Sequence, residues 1–192
     1  MIYVKLLLRI LLAAILALIF AASAITHKYG PFSGRVVDVD TGEPIEGAVV
    51  LLCFDTKMYT PGGPVSYFAD ALEVLTDAKG EFFLPAHRIT LFRFPHYWDT
   101  RWSALVFKPG YGSFPRHKRS YRTNEGPGAI PENQFVTINL PKLQTKEERI
   151  RSIDDPDYYL LLIPPEKRKE LFRLVTIEEI EVGLIPDPSR KR

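Results

Sequence analysis

Phe32-Ser-Gly-Arg-Val-Val-Asp-Val-Asp-Thr-Gly-Glu-Pro-Ile-Glu-Gly-Ala-Val-Val-Leu-Leu52 reads as two short β-strands, Phe32–Val39 and Ala48–Phe54, joined by a polar connection. Val37 and Val39 alternate with Asp38 and Asp40, the period of two expected of a strand with one buried face. From Ala48 to Phe54 every residue is apolar, which predicts a strand buried on both sides or lying at the centre of a sandwich. Further on, Leu75-Thr-Asp-Ala-Lys-Gly-Glu-Phe-Phe-Leu-Pro85 predicts a hairpin of strands Ala71–Thr76 and Glu81–Leu84, with Gly80 in the left-handed turn position. Later strands are expected at Ser103–Lys108 and Phe135–Leu140, closed by Pro109-Gly110 and Pro141. Six or seven short strands separated by turn residues predict an all-β sandwich over residues 32–143.

The stretches Gly34–Leu52 and Leu75–Pro85 resemble the carboxypeptidase regulatory-like domain, a small β-sandwich of exported bacterial proteins. The resemblance implies a mainly β fold, a transthyretin-like (prealbumin-like) Greek-key sandwich of about seven strands, and a module without catalysis. Three segments exceed the plain pattern and read as insertions: Asp55–Phe68, Ile89–Trp102 and Gly112–Asn133. Long loops that a fold does not require are where a binding module keeps its specificity.

The start of the chain reads as an export signal. Lys5 and Arg9 precede an apolar run from Ile10 to Ala22, and Ala22-Ser-Ala24 supplies the small-x-small pattern of a signal peptidase site. Cleavage after Ala24 is the first reading and an uncleaved signal anchor the second, since the run is shorter than the roughly 20 residues that span a bilayer. No cysteine ends the run, so lipoprotein acylation is not expected. The chain carries 25 basic and 23 acidic residues, and loss of Lys5 and Arg9 leaves it neutral. Net charge therefore points to no polyanion partner, and with the export signal no nucleic-acid ligand is expected. The expected location is periplasmic or secreted, or anchored to the inner membrane with the domain outside the cytoplasm. Membrane contact is expected only through residues 1–24, and only if they are retained.

No catalytic set emerges. Asp38, Asp40 and Asp77 read as turn carboxylates, because a calcium loop would need more oxygen ligands than follow here. His27, His87, His96 and His117 lack the close helical spacing of a zinc site, although His96 and His117 both fall in insertions. Cys53 stands alone in Val49-Val-Leu-Leu-Cys-Phe54 and reads as a buried apolar residue. No Gly-x-Ser-x-Gly turn occurs. The transthyretin-like fold also houses hydroxyisourate hydrolases, but those end in Tyr-Arg-Gly-Ser, whereas this sequence ends Pro188-Ser-Arg-Lys-Arg192. The expectation is a non-enzyme with no cofactor and no metal.

Residues 88–122 carry the sharpest binding signal. Both tryptophans and seven other aromatics interleave with eight lysines and arginines there, and Asp99 is the only acid. Aromatic faces stack on sugar rings, and guanidinium groups hold carboxylates or phosphates. Arg93, Tyr97, Trp98, Arg101, Trp102, Arg116 and Arg119 are therefore the candidate binding residues, for a glycan or an anionic headgroup of the envelope. The competing reading makes several of these aromatics core residues at the sandwich end, capped by arginines.

Composition changes after Pro141, and residues 144–192 read as a helical extension. Thr145-Lys-Glu-Glu148 is a capping box opening a short helix through Ile153, which Asp154-Asp-Pro156 should end. Pro164-Pro165 should open a second helix with Leu171, Leu174 and Val175 on one face and Lys167, Arg168 and Lys169 outside. Thr176-Ile-Glu-Glu179 fits a further cap. The helices are expected to bury Tyr158–Ile163 on the sandwich, and Pro186 onward is expected to be a basic disordered end. Residues 25–31 read as a linker. Behind the binding module stand two other functional readings: an interaction subunit of an envelope assembly that uses these helices, and, last, a transthyretin-fold hydrolase.

Overall fold

The structure, a computed structural model, describes residues 26–124 and 130–186 together with Tyr3, Lys5 and residues 7–15. The Ala22-Ser-Ala24 site and the basic end from Asp187 lie outside the described residues. Residues 7–15 are helical, and no helix of the described residues is long and apolar enough to cross a membrane.

Ten strands and two C-terminal helices follow. β1 is Thr26–Tyr29, β2 Phe32–Asp38, β3 Val49–Thr60, β4 Gly63–Leu75, β5 Glu81–Leu84, β6 His87–Thr90, β7 Tyr97–Trp98, β8 Ser103–Phe107, β9 Tyr121–Arg122 and β10 Phe135–Leu140. α1 is Lys146–Leu162 and α2 Lys169–Glu181, with a 3-10 turn, Pro165–Lys167, between them. One sheet has the order β5-β2-β10-β9; in the other β3 lies between β4 and β8 and also pairs with β7. β10 runs parallel to β2, from Phe135 opposite Ser33 to Leu140 opposite Asp38. β1 and β6 form a separate antiparallel pair, so residues read as linker supply a strand.

β3 shows why its sequence is apolar without a break. Val50, Leu52 and Phe54 point into the core between the sheets, against Phe32, Val36, Val136 and Ile138. Val49, Leu51 and Cys53 point the other way, into a second core with Leu105 and Phe107 of β8 and with Leu160, Ile163, Leu171 and Val175 of the helices. The domain is thus three layers, sheet on sheet on helix, with β3 in the middle one.

Four expectations are corrected. Asp55–Phe68 is no separate insertion: β3 and β4 stay paired from Val49 opposite Leu75 to Thr60 opposite Gly63, with one register shift at Phe54/Asp55 and a Pro61-Gly62 turn. The β-forming residues Thr56, Tyr59, Val65 and Tyr67 carry the ladder onward. The first helix does not stop at Pro156; it runs 17 residues with that proline inside. An internal proline costs about 3 kcal/mol. Beyond it Tyr159 and Leu160 bury against the sheet, each contributing roughly 1.5–3 kcal/mol, which is enough to offset that cost. Thr176 caps no helix start, because it sits inside α2.

Arg168 is the fourth correction. Far from lying outside with its lysine neighbours, it is 3% exposed, and its Nε donates to the Ile163 carbonyl at 2.6 Å. That carbonyl ends α1 next to two prolines, which have no N–H to offer. Burial holds the guanidinium below its ordinary pKa. The start of α2 is capped from the sheet: Glu73 of β4 accepts from the N–H groups of Glu170 (2.9 Å) and Leu171 (3.1 Å).

A second ionic tie joins the helices to β4. Asp70 accepts from His87 Nε2 at 2.8 Å and from Lys167 Nζ at 3.0 Å. Burial pushes its carboxyl up, but the hydrogen bonds from His87, Lys167 and the Ala71 N–H outweigh this and hold it below the ordinary carboxylate value. The stabilisation is therefore present above the unfolded value near 3.9 and is lost as pH falls through the lower folded value. Melting midpoints of wild type and Asp70→Asn across this range should converge at the acid end; parallel curves would remove this assignment.

Candidate functional site

A cleft of about 370 Å³ lies between the loop after β8 and α1, lined by Ser113, Arg116, His117, Lys118, Glu148, Arg151 and Ser152. The loop is held on its β8 side by reciprocal bonds between Val106 and Phe114, N to O at 3.0 and 2.9 Å. The Ser120 hydroxyl closes it by donating to the carbonyls of Ser113 and His117, both at 2.7 Å. Gly112 leaves space that the His117 ring fills: a Cβ there would come within 2.5 Å of the imidazole. On the other wall, Ser152 Oγ donates to Tyr111 O at 3.3 Å and fixes α1 against the loop.

Charge in the cleft is unequal. Arg116, Lys118 and Arg151 face one carboxylate, Glu148, and His117 adds a titratable ring. Glu148 is occupied with the helix start: it accepts from the N–H of Gln144 (3.1 Å) and Thr145 (3.4 Å), completing the capping box. Those bonds hold its carboxyl below the ordinary value. Three side-chain cations, two serines and the nearby positive end of α1 make the cleft a setting that attracts anionic groups.

The seven sequence candidates are divided between two places. Arg116 lines the cleft and lies 5.5 Å over the Tyr158 ring. Arg119, on the same loop, pairs with Asp40. The other five lie on or beside β7. Trp102 packs on the inter-sheet core and donates Nε1–H to Ile130 O at 2.9 Å; Trp98 packs on the same core and lies 5.8 Å from the His27 ring. Arg93 donates to Thr56 Oγ1 and Phe68 O, Tyr97 stacks on Tyr59 at 5.0 Å, and Arg101 is exposed. His96 bonds Thr56 and packs on Tyr67, away from the cleft residues that surround His117.

Glu148, Arg151 and Ser152 escaped the sequence reading because they come from the C-terminal extension. A signal for two of them was present: the capping box places Glu148 at the helix start, and Arg151, three residues on, shares its face.

A smaller cavity of about 120 Å³ is lined by Cys53, Asp55, Ser66, Phe68, Ser103, Tyr158, Tyr159 and Leu162. Burial pushes the Cys53 thiol up to about 12, with Asp55 adding to the effect, so at neutral pH this sulfur is a thiol rather than a nucleophilic thiolate. Among the described residues no cluster of three or more His, Cys, Asp or Glu side chains could hold a metal ion. No family model matches the chain, and no curated protein or solved structure matches it either.

Proposed function

We propose that this chain is an exported, non-catalytic β-sandwich module of the bacterial envelope that binds a carboxylate- or phosphate-bearing ligand. An acidic glycan or an anionic headgroup supplies that chemistry. The observation that carries the reading is the convergence of Arg116, Lys118 and Arg151 on one cleft whose only acid is committed to a helix cap. The sequence order of basic and small residues at the N-terminus supports export, and non-consecutive neighbours in the order β5-β2-β10-β9 support a Greek-key, transthyretin-like connectivity.

The test is a calorimetric titration of the full chain with inorganic phosphate, glucuronate and glycerol phosphate, beside an Arg116→Ala/Arg151→Ala variant. Both arginines are exposed, so the fold should survive their loss. Charged hydrogen bonds contribute about 1.5–3 kcal/mol each, so the variant should bind at least about a hundredfold more weakly. Equal affinity in a folded variant, or no binding to wild type, would sink the reading.

A second reading has its own observation. Tyr158, Leu161 and Leu162 of α1 and Ile180 of α2 are exposed, a surface that suits an interaction subunit of an envelope assembly.

A further inference from the structure

The loop between β6 and β7 is pinned, yet it presents its largest apolar side chains to solvent. Arg93 Nη1 donates to Thr56 Oγ1 (3.3 Å) and Phe68 O (3.1 Å), and His96 N donates to Arg93 O at 2.7 Å. On either side of that anchor Phe92 is 76% exposed and Phe94 85%. Beside them the stacked pair Tyr59 and Tyr97 is also exposed. A loop fixed by part-buried polar contacts while its phenylalanines stand in water is shaped to place those rings in another medium.

Charge and chain direction identify that medium. Lys28 and Arg88 face each other directly across the β1–β6 pair, and both are exposed. Like charges in that position are destabilising, and among the described residues neither has an ion-pair partner. Thr26, where the chain enters the domain, lies opposite Thr90, two residues before Phe92. The sequence that precedes Thr26 is the apolar N-terminal segment, and in its helical stretch Leu7, Leu8, Leu11 and Leu12 are exposed. One end of the domain therefore gathers the chain's apolar entry, two exposed phenylalanines and an unneutralised basic pair.

We infer that this end docks on an anionic lipid bilayer, with Phe92 and Phe94 entering the interface and Lys28 and Arg88 against the headgroups. Aromatic rings at the interface and basic residues beside anionic lipid are the two forces that hold a peripheral face to a membrane. The contact extends beyond the membrane contact expected of residues 1–24 alone, and it does not depend on the cleft being occupied.

Cys53 is buried, so a cysteine introduced elsewhere can be labelled selectively. Full-length Phe94→Cys carrying an environment-sensitive dye is mixed with vesicles of phosphatidylcholine and phosphatidylglycerol, with Lys79→Cys at the exposed β4–β5 turn as the comparison. The expected result is a blue shift, and quenching by nitroxide lipid, at position 94 and not at position 79. Each basic residue near the surface contributes about fivefold, so adding Lys28→Ala and Arg88→Ala should lower the docked-to-free ratio about 25-fold. No shift at position 94, an equal shift on phosphatidylcholine alone, or a concentration-dependent shift without vesicles would each overturn the inference; the last would make a second copy of the chain the occupant.

Discussion

Arg149→Ala should lower the stability of the domain by about 3–5 kcal/mol, the cost of leaving a buried charge without its partner. Arg149 of α1 forms a fork onto Glu178 of α2, Nε to Oε1 at 2.8 Å and Nη2 to Oε2 at 2.6 Å, and also pairs with Glu181. Glu178 is 1% exposed and accepts a third bond from Gly110 N at 2.9 Å. One carboxylate therefore ties both helices to the turn after β8. The fork holds the Arg149 guanidinium above its ordinary pKa, with Glu178 as the main cause, so Arg149 stays charged across the working range. For a chain of this size the loss corresponds to a fall of roughly 6–20 °C in melting temperature. Thermal unfolding measures it. The double variant Arg149→Met/Glu178→Gln keeps an acceptor for Gly110 and removes the charge, and it should recover most of the loss. A single variant that melts within a degree or two of wild type would show that the fork contributes little.

Gly80→Ala should be nearly as damaging. Gly80 has a φ of +71°, and a Cβ on it would lie 2.4 Å from Val36 O and 3.1 Å from Ile45 N. A left-handed backbone costs an L-residue roughly 1–2 kcal/mol, and forcing atoms into a packed site adds about 1–3 kcal/mol. The neighbouring atoms are backbone and cannot swing aside. Val36 N donates to Gly80 O at 2.8 Å, and Ile45 N to Val36 O at 3.0 Å, so moving the turn breaks the bonds that seat it on β2. A loss of about 3 kcal/mol is expected, read as a drop of about 6–12 °C in melting temperature. A variant as stable as wild type would mean that the turn can shift without cost.

Gly80 also marks the limit of what was legible. Asp77-Ala-Lys-Gly80 shows a left-handed turn from composition alone, because few other residues tolerate that conformation. That its carbonyl and its missing Cβ both face Val36 of a strand more than forty positions earlier is a long-range fact with no local trace. The candidate site divides in the same way. Arg116 was legible as a basic residue in a segment rich in aromatics, whereas Arg151 and Glu148 join it only because α1 folds back over β8. Trp98 and Trp102 read equally well as ligand platform and as core until their packing on the inter-sheet core is seen.

By itself the sequence determined the six strands β2, β3, β4, β5, β8 and β10 in outline, the turn at Gly80, the burial of Cys53 and the cap at Thr145. Each follows from interactions among residues close in the chain or from the period of apolar positions. Only the tertiary structure decided that β3 is covered by a sheet on one side and by helices on the other, that α1 runs through Pro156, and that Arg168 is buried. It also decided which basic residues share a cleft and which surround an exposed aromatic loop. Those outcomes depend on apolar burial and charge pairing between segments far apart in sequence, and such energies exist only once the layers have packed.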